Sequence, residues 1–170
     1  EIVLSLQDPE EFPEVKKISG NEEIIIDGAT FLEMIEKVSF AISLDETRYI
    51  LTGMHISGKD GSMVVVGTDG FRMAFYQKQI EGMKSFKGIT IPKRSLSEME
   101  RVIDEGEKVI MTIEEKHVQI NTKNIVVVSR VIEGSFPDYE NVIPQSNDNV
   151  ICLEKDSFIR GLKKVSSIIG

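Results

Sequence analysis

Two histidines, His55 and His117, one cysteine, Cys152, and 28 acidic side chains are among the groups in this chain able to attack a carbon or phosphorus centre, carry a proton or hold a metal. An enzyme needs them arranged as a nucleophile beside a base, a ligand cluster or a phosphate-cradling loop, and the spacing offers none of these. His55 and His117 fall in strand-like runs with no ligand partner nearby in sequence, so each reads as an ordinary sheet histidine. The pairs Glu22-Glu23 and Glu114-Glu115 sit at strand starts or turns and read as solvated charge. Asp69 precedes Arg72 by three positions but lacks a second carboxylate at metal-sharing distance. Cys152 has no partner for an internal disulfide or a shared metal, which fits a reducing, cytosolic setting. The inventory points to a binding protein with no catalytic residue, no metal and no cofactor.

The formal net charge of −8 argues against a protein that grips nucleic acid by bulk electrostatics. It leaves room for a local basic face. Arg94, Glu98, Arg101 and Glu105 follow the i, i+4, i+7, i+11 spacing of one exposed helical side, with both signs on it. A chain of 170 residues that is 41% hydrophobic can bury one ordinary core. No apolar run approaches the ~20 residues that cross a bilayer, and the N-terminus lacks a basic-then-apolar pattern, so a soluble, cytoplasmic segment is expected.

The elements that must position these groups recur in one order. Glu23 to Ile26 reads as a strand, with Asp27 as a helix cap before Ala29 to Ser43. In that helix Phe31, Ile35, Val38 and Ile42 form a buried stripe, while Phe40 lands on the polar side with no packing reason. Three strands follow at Tyr49 to Gly58, Met63 to Thr68 and Phe71 to Gln79, divided by Asp60-Gly61 and Asp69-Gly70, a strong hairpin signal. The order then restarts. A strand at Gly88 to Ile91 leads to a helix at about Lys93 to Glu105, which buries Leu96, Met99 and Ile103 and ends near Gly106, a residue suited to a left-handed stop. Strands at Lys108 to Ile113, His117 to Thr122 and Ile125 to Ile132 complete it. The chain thus predicts a duplicated β-α-β-β-β unit of class α+β, with two helices on one face of antiparallel sheet.

A longer repeat runs through the whole chain. Phe12-Pro13 returns as Phe136-Pro137, 124 positions on, and Phe31 returns as Phe158, 127 positions on, each with similar neighbours. Two marks at nearly one interval predict tandem domains of about 125 residues, of which the chain holds one whole copy and two fragments.

Three stretches carry a resemblance to a known family. They are Arg48-Tyr49-Ile50-Leu51-Thr52-Gly53, then Val66-Gly67-Thr68-Asp69-Gly70-Phe71-Arg72-Met73-Ala74, and Gly134-Ser135-Phe136-Pro137-Asp138-Tyr139 through Val142-Ile143-Pro144. With them the chain resembles the bacterial sliding clamp, the beta subunit of DNA polymerase III, over essentially its whole length. The resemblance implies the DNA-clamp fold, with residues 1–20 ending a first clamp domain and its linker, 21–145 forming the complete middle domain and 146–170 starting a third. It implies a non-catalytic processivity factor, a head-to-tail homodimer ring around duplex DNA of any sequence. Its partners would be the replicative polymerase, the clamp loader, and repair polymerases and other proteins with clamp-binding motifs.

Carried over position by position, the resemblance assigns Leu51, Thr68, Gly70, Phe71, Arg72, Met73, Pro137, Asn141 and Val142 to a peptide-binding pocket. Leu51, Met73, Pro137 and Val142 would floor it, and Arg72 would reach peptide carbonyls or carboxylates. Phe71 stands where histidine is common and Asn141 where a basic residue is common, so ligand preference is expected to differ. Lys37, Arg48, Tyr49, Lys93, Arg94 and Arg101 are the candidates for weak contact with DNA, each otherwise a solvated surface side chain. The rival reading is a peptide- or protein-binding adaptor of tandem α+β domains without nucleic acid. The two part on geometry, because a clamp needs both helices on one side with Lys37, Arg94 and Arg101 exposed.

Overall fold

Asp60 (φ 51°) and Gly61 (φ 75°) both take the left-handed conformation that a two-residue type I′ turn demands. They join β2 (Gly53–Lys59) to β3 (Ser62–Thr68), with Lys59 opposite Ser62. The computed structural model describes residues 22–144, 146 and 148–169, with Asp8 and Ile18. The domain end expected over residues 1–20, including Phe12-Pro13, otherwise lies outside the described residues. The chain divides into two compact units, residues 1–136 and 137–170.

In the first unit, β1 (Glu22–Asp27) leads into α1 (Gly28–Ser39), and a 3-10 turn at Glu46–Leu51 precedes β2 and β3. After β3 come β4 (Met73–Gln79), β5 (Phe86–Pro92), α2 (Lys93–Val102), β6 (Lys108–Ile113), β7 (His117–Asn121) and β8 (Val126–Arg130). Two four-stranded antiparallel sheets result, in the orders β4-β3-β2-β5 and β1-β6-β7-β8. The expected repeat of β-α-β-β-β is present, but the halves exchange their first strands. β1 pairs with β6 of the second half, Ile24 opposite Met111, and β5 pairs with β2 of the first, Met54 opposite Ile91. Neither half is therefore a sheet on its own.

The helices close a single core over both sheets. Phe31, Met34, Ile35 and Val38 of α1 and Leu96 and Met99 of α2 share one buried cluster with Met54, Ile56, Val65 and Ile91 from one sheet and Val109, Met111, Val118 and Ile120 from the other. The spacing of these apolar side chains at three and four positions is what turns each helix inward.

Several local expectations need correction. The first helix stops at Ser39 rather than Ser43, and Phe40 caps its end. Asp27 holds the N-cap position in extended backbone, yet its carboxylate makes no cap bond. The loop before β6 supplies the acceptors instead, with Gly28 N–H donating to Glu107 O at 2.7 Å and Ala29 N–H to Glu105 O at 3.3 Å. A side chain at Gly28 would strike the carbonyl of Asp104. The strand expected from Tyr49 begins only at Gly53, because Asp45 accepts from Thr47 N at 3.0 Å and starts the 3-10 turn. The helix α2 ends at Val102, since Ile103 turns extended (ψ 126°) to bury its side chain, so Glu105 lies beyond the helix. Gly106 is not among the glycines at positive φ.

In the second unit a short 3-10 turn spans Glu140–Val142 and α3 spans Lys155–Ile169. No helix among the described residues is long and apolar enough to cross a membrane.

Candidate functional site

The stretch from Thr68 to Met73 forms a locked loop in place of the two-residue turn expected at Asp69-Gly70. Only Gly70 (φ 87°) is left-handed there. The Asp69 carboxylate accepts from Phe71 N at 2.9 Å, from Arg72 N at 3.0 Å and from Arg72 Nε at 3.0 Å. Thr68 Oγ1 donates to Arg72 O at 2.8 Å and accepts from Gly70 N at 3.1 Å. The two backbone N–H donors hold the Asp69 carboxyl below the usual aspartate range. Arg72 then braces the loop to the end of α1, its Nη2 donating to Phe40 O at 3.1 Å. Arg48 does the same from the 3-10 turn, Nη1 donating to Asp69 O at 3.2 Å while its guanidinium lies 5.5 Å from the centre of the Phe71 ring.

This bracing leaves apolar side chains in water. Phe71 is 90% exposed, Leu44 81% and Phe40 61%. They line a groove of about 330 Å³ with Ser43, Asp45, Arg48, Asp69, Arg72 and Lys93. Leu51, by contrast, is buried, its Cδ1 lying 4.0 Å from where a side chain on Gly70 would begin. Met73 is half-buried opposite Thr68 at the start of β4. Of the residues singled out from the sequence, Phe71, Arg72, Arg48 and Lys93 are therefore brought together in one groove, with Gly70 and Leu51 beside it. Pro137, Asn141 and Val142 belong to the second unit, where all three are exposed and Asn141 Nδ2 donates to Asp138 Oδ2 at 2.6 Å. Phe40 and Leu44 were not assigned to a site, although the placement of Phe40 on a polar helical side was the signal.

The second surface is the outer side of the two helices. They lie side by side, and a hollow between them is lined by Thr30, Glu33 and Glu36 from α1 and Glu100 from α2, with Lys78 of β4. Lys37, Arg94 and Arg101 are exposed and Lys93 is half-buried. The helices carry four basic residues (Lys37, Lys93, Arg94, Arg101) and four acidic ones (Glu33, Glu36, Glu98, Glu100), so this layer is neutral in a chain of net charge −8. Arg101 pairs with Glu98 at 3.3 Å. Lys78 Nζ donates to Glu33 at 2.7 Å, a bond that lowers the pKa of Glu33 and raises that of Lys78.

The histidines take no part in either surface. The His55 ring stacks on Phe136 with centroids 4.6 Å apart, and its Nδ1 lies 3.3 Å from Thr90 Oγ1. Burial pushes its pKa down to about 4. His117 opens β7 opposite Arg130. Among the described residues no group of three His, Cys, Asp or Glu side chains is placed to hold a metal.

A duplicated unit of two antiparallel sheets with exchanged first strands and a paired helix layer defines an α+β domain of the clamp class. Residues 25–138 match the family model for the central domain of the DNA polymerase III beta subunit. The chain is 30% identical over 164 residues to the beta sliding clamp of Caulobacter vibrioides, covering 93% of this chain and 44% of that protein. It is 30% identical over 161 residues to the beta sliding clamp of Treponema pallidum, covering 94% and 43%. The crystal structure of the DNA polymerase sliding clamp from Bacillus subtilis superimposes with a TM-score of 0.77 at 30% identity, covering 82% of this chain and 37% of that one. The chain belongs to the family of DNA polymerase III beta subunits, and it spans less than half the length of the curated relatives it matches.

Proposed function

We propose that this chain is the middle part of a DNA sliding clamp, a non-catalytic processivity factor that encircles duplex DNA as a head-to-tail homodimer ring. In this reading residues 1–20 close a first clamp domain, 21–145 are the middle domain and 146–170 begin a third. The helix layer faces the DNA, with Lys37, Lys93, Arg94 and Arg101 on it and Arg48 and Tyr49 at its loop edge. The replicative polymerase, the clamp loader and repair polymerases dock by short peptides at Leu51, Thr68, Gly70, Phe71, Arg72 and Met73. Pro137, Asn141 and Val142 join that set on the family resemblance. The protein works in the bacterial cytoplasm at the replication fork and needs no cofactor.

The observation that carries this reading is the helix layer, two adjacent helices with exposed, balanced charge on a chain that is otherwise strongly acidic. Enclosure holds a protein on DNA without the many phosphate contacts that a tight binder makes, and a neutral wall makes few. The test is retention of the full-length protein on nicked circular DNA, after loading by a clamp loader, against the same DNA linearised. Retention on the circle with loss from free ends is expected. Equal retention on both would replace enclosure by direct contact and overturn the reading.

A further inference from the structure

We propose that Phe136 is a latch that stiffens the joint where the first unit hands the chain to the second, its ring seated on His55 in a cleft of the first unit. The inference goes beyond the docking and DNA surfaces and rests on the reading of consecutive clamp domains. Its first support is place. The first unit ends at Phe136 and the second begins at Pro137. The same Phe-Pro pair stands at Phe12-Pro13, 124 positions earlier, and each pair shortly precedes the residue at which the next domain is expected to start. A pair repeated at two junctions points to the junction as its task.

The second support is the socket. His55 lies on β2, a strand flanked by β3 and β5, opposite Val66 and Thr90. Phe136 stacks on its ring at 4.6 Å with 15° between the planes, in a cleft of about 790 Å³ walled by Phe86, Lys87 and Ile89 of β5 and by the turn from Ile113 to Lys116. Gly88 lines this cleft without a side chain, and a carbon there would sit 2.3 Å from His55 Nε2. Thr90 Oγ1 holds the other side of the imidazole, 3.3 Å from Nδ1. Burial keeps that ring uncharged, which suits it to a stack.

The third support is what the latch stops. Ile132 N–H donates to Thr90 O at 2.8 Å, which ties the chain to β5. Between that bond and the stack stand Glu133, Gly134 and Ser135, all exposed, with Gly134 at φ 125°. Glycine turns freely, so without the ring the joint would swing from Ile132. With the ring seated, the point of release moves to Phe136. The following proline confines the backbone of Phe136 to extended conformations, and Pro137 itself has a fixed φ. Linked domains move against one another unless something holds them, and a closed ring of domains needs its joints held.

The test is pulsed electron double resonance on the full-length protein, spin-labelled at Cys152 and Lys123→Cys with any other cysteine replaced by serine, and diluted into unlabelled protein so that distances within one chain dominate. Both positions are exposed. A second pair, Glu81→Cys with Lys123→Cys in a Cys152→Ser background, reports the first unit alone. Phe136→Ala should widen the distance distribution across the joint by about twofold or more and leave the pair within the unit unchanged. Phe136→Tyr should restore the wild-type width. Equal widths in wild type and Phe136→Ala, whether both narrow or both broad, would overturn the latch, while the clamp reading is judged separately by retention on circular DNA. Should Phe136→Ala also widen the pair within the unit, Phe136→Leu decides: widening across the joint alone supports the latch, and none there overturns it.

Discussion

Lowering the pH from 8 to 5 should remove about 2 kcal/mol of stability from the first unit through His55 alone. The imidazole is held between Phe136, 4.6 Å away in a stack, and Thr90 Oγ1, and a side chain on Gly88 would collide with its Nε2. Burial there disfavours the cation and lowers the pKa from 6.5 to about 4. The unfolded chain therefore binds the proton more readily. The stabilisation is complete above pH 6.5, is lost progressively as the pH falls toward 4, and levels off below that at about 3 kcal/mol. At pH 5 the unfolded imidazole is almost wholly protonated and the folded one only slightly, which gives the figure of about 2 kcal/mol. The assay is urea unfolding followed by far-UV circular dichroism, the chain having no tryptophan. The control is His55→Phe, which keeps an aromatic ring against Phe136 and removes the titration. It should cost about 1–3 kcal/mol at pH 8 by stranding the buried Thr90 hydroxyl, and that cost should shrink by about 2 kcal/mol at pH 5, because the variant lacks the wild-type loss over this range. Parallel curves for the two proteins would refute the argument that burial keeps His55 neutral.

Gly67→Ala should destabilise the first unit by about 1–3 kcal/mol, measured by thermal or urea unfolding. The added carbon would sit 2.5 Å from the carbonyl oxygen of Val38, and backbone on both sides cannot yield. Asp69→Ala should free the β3–β4 loop, seen as faster amide exchange at Phe71 and Arg72. Because the folded pKa of Asp69 is lowered, wild type should keep that protection above the ordinary aspartate range and lose it as the pH falls through the lowered value. Reversing Lys37, Arg94 and Arg101 to Glu turns the neutral helix layer into one of charge −6 without touching the core. Retention on nicked circular DNA should shorten on the order of tenfold, and unchanged retention would dismiss those side chains as DNA contacts.

Most of the strand and helix order was legible because periodicity reports which side of an element is buried. Phe31, Ile35, Val38, Leu96 and Met99 all lie in the core that their spacing implied. The errors fall where long-range partners override local chemistry. Asp27 looks like a helix cap, but the carbonyls of Glu105 and Glu107 reach the helix start first. Asp69-Gly70 has the composition of a tight hairpin turn, but an aspartate oxygen can hold two amides two and three residues on, and that makes a wider loop. The exchange of first strands was invisible, because the short apolar runs of β1 and β5 carry no mark of which sheet receives them.

That exchange explains how the groove comes to exist. Arg48 and Lys93 are 45 positions apart and come from different halves of the duplication. Because β5 crosses to pair with β2, Pro92 stands opposite Gly53, and Lys93 N–H donates to Thr52 O at 3.1 Å. The second helix thus begins where the first half's 3-10 turn ends, and this seats Lys93 in the same groove as Arg48. With β5 left in its own half, the groove would lose Lys93. The strand exchange that merges two halves into one core therefore also makes a surface that neither half has, and the sequence signal for it, an apolar Phe40 on the polar side of α1, becomes legible only once both halves are in place.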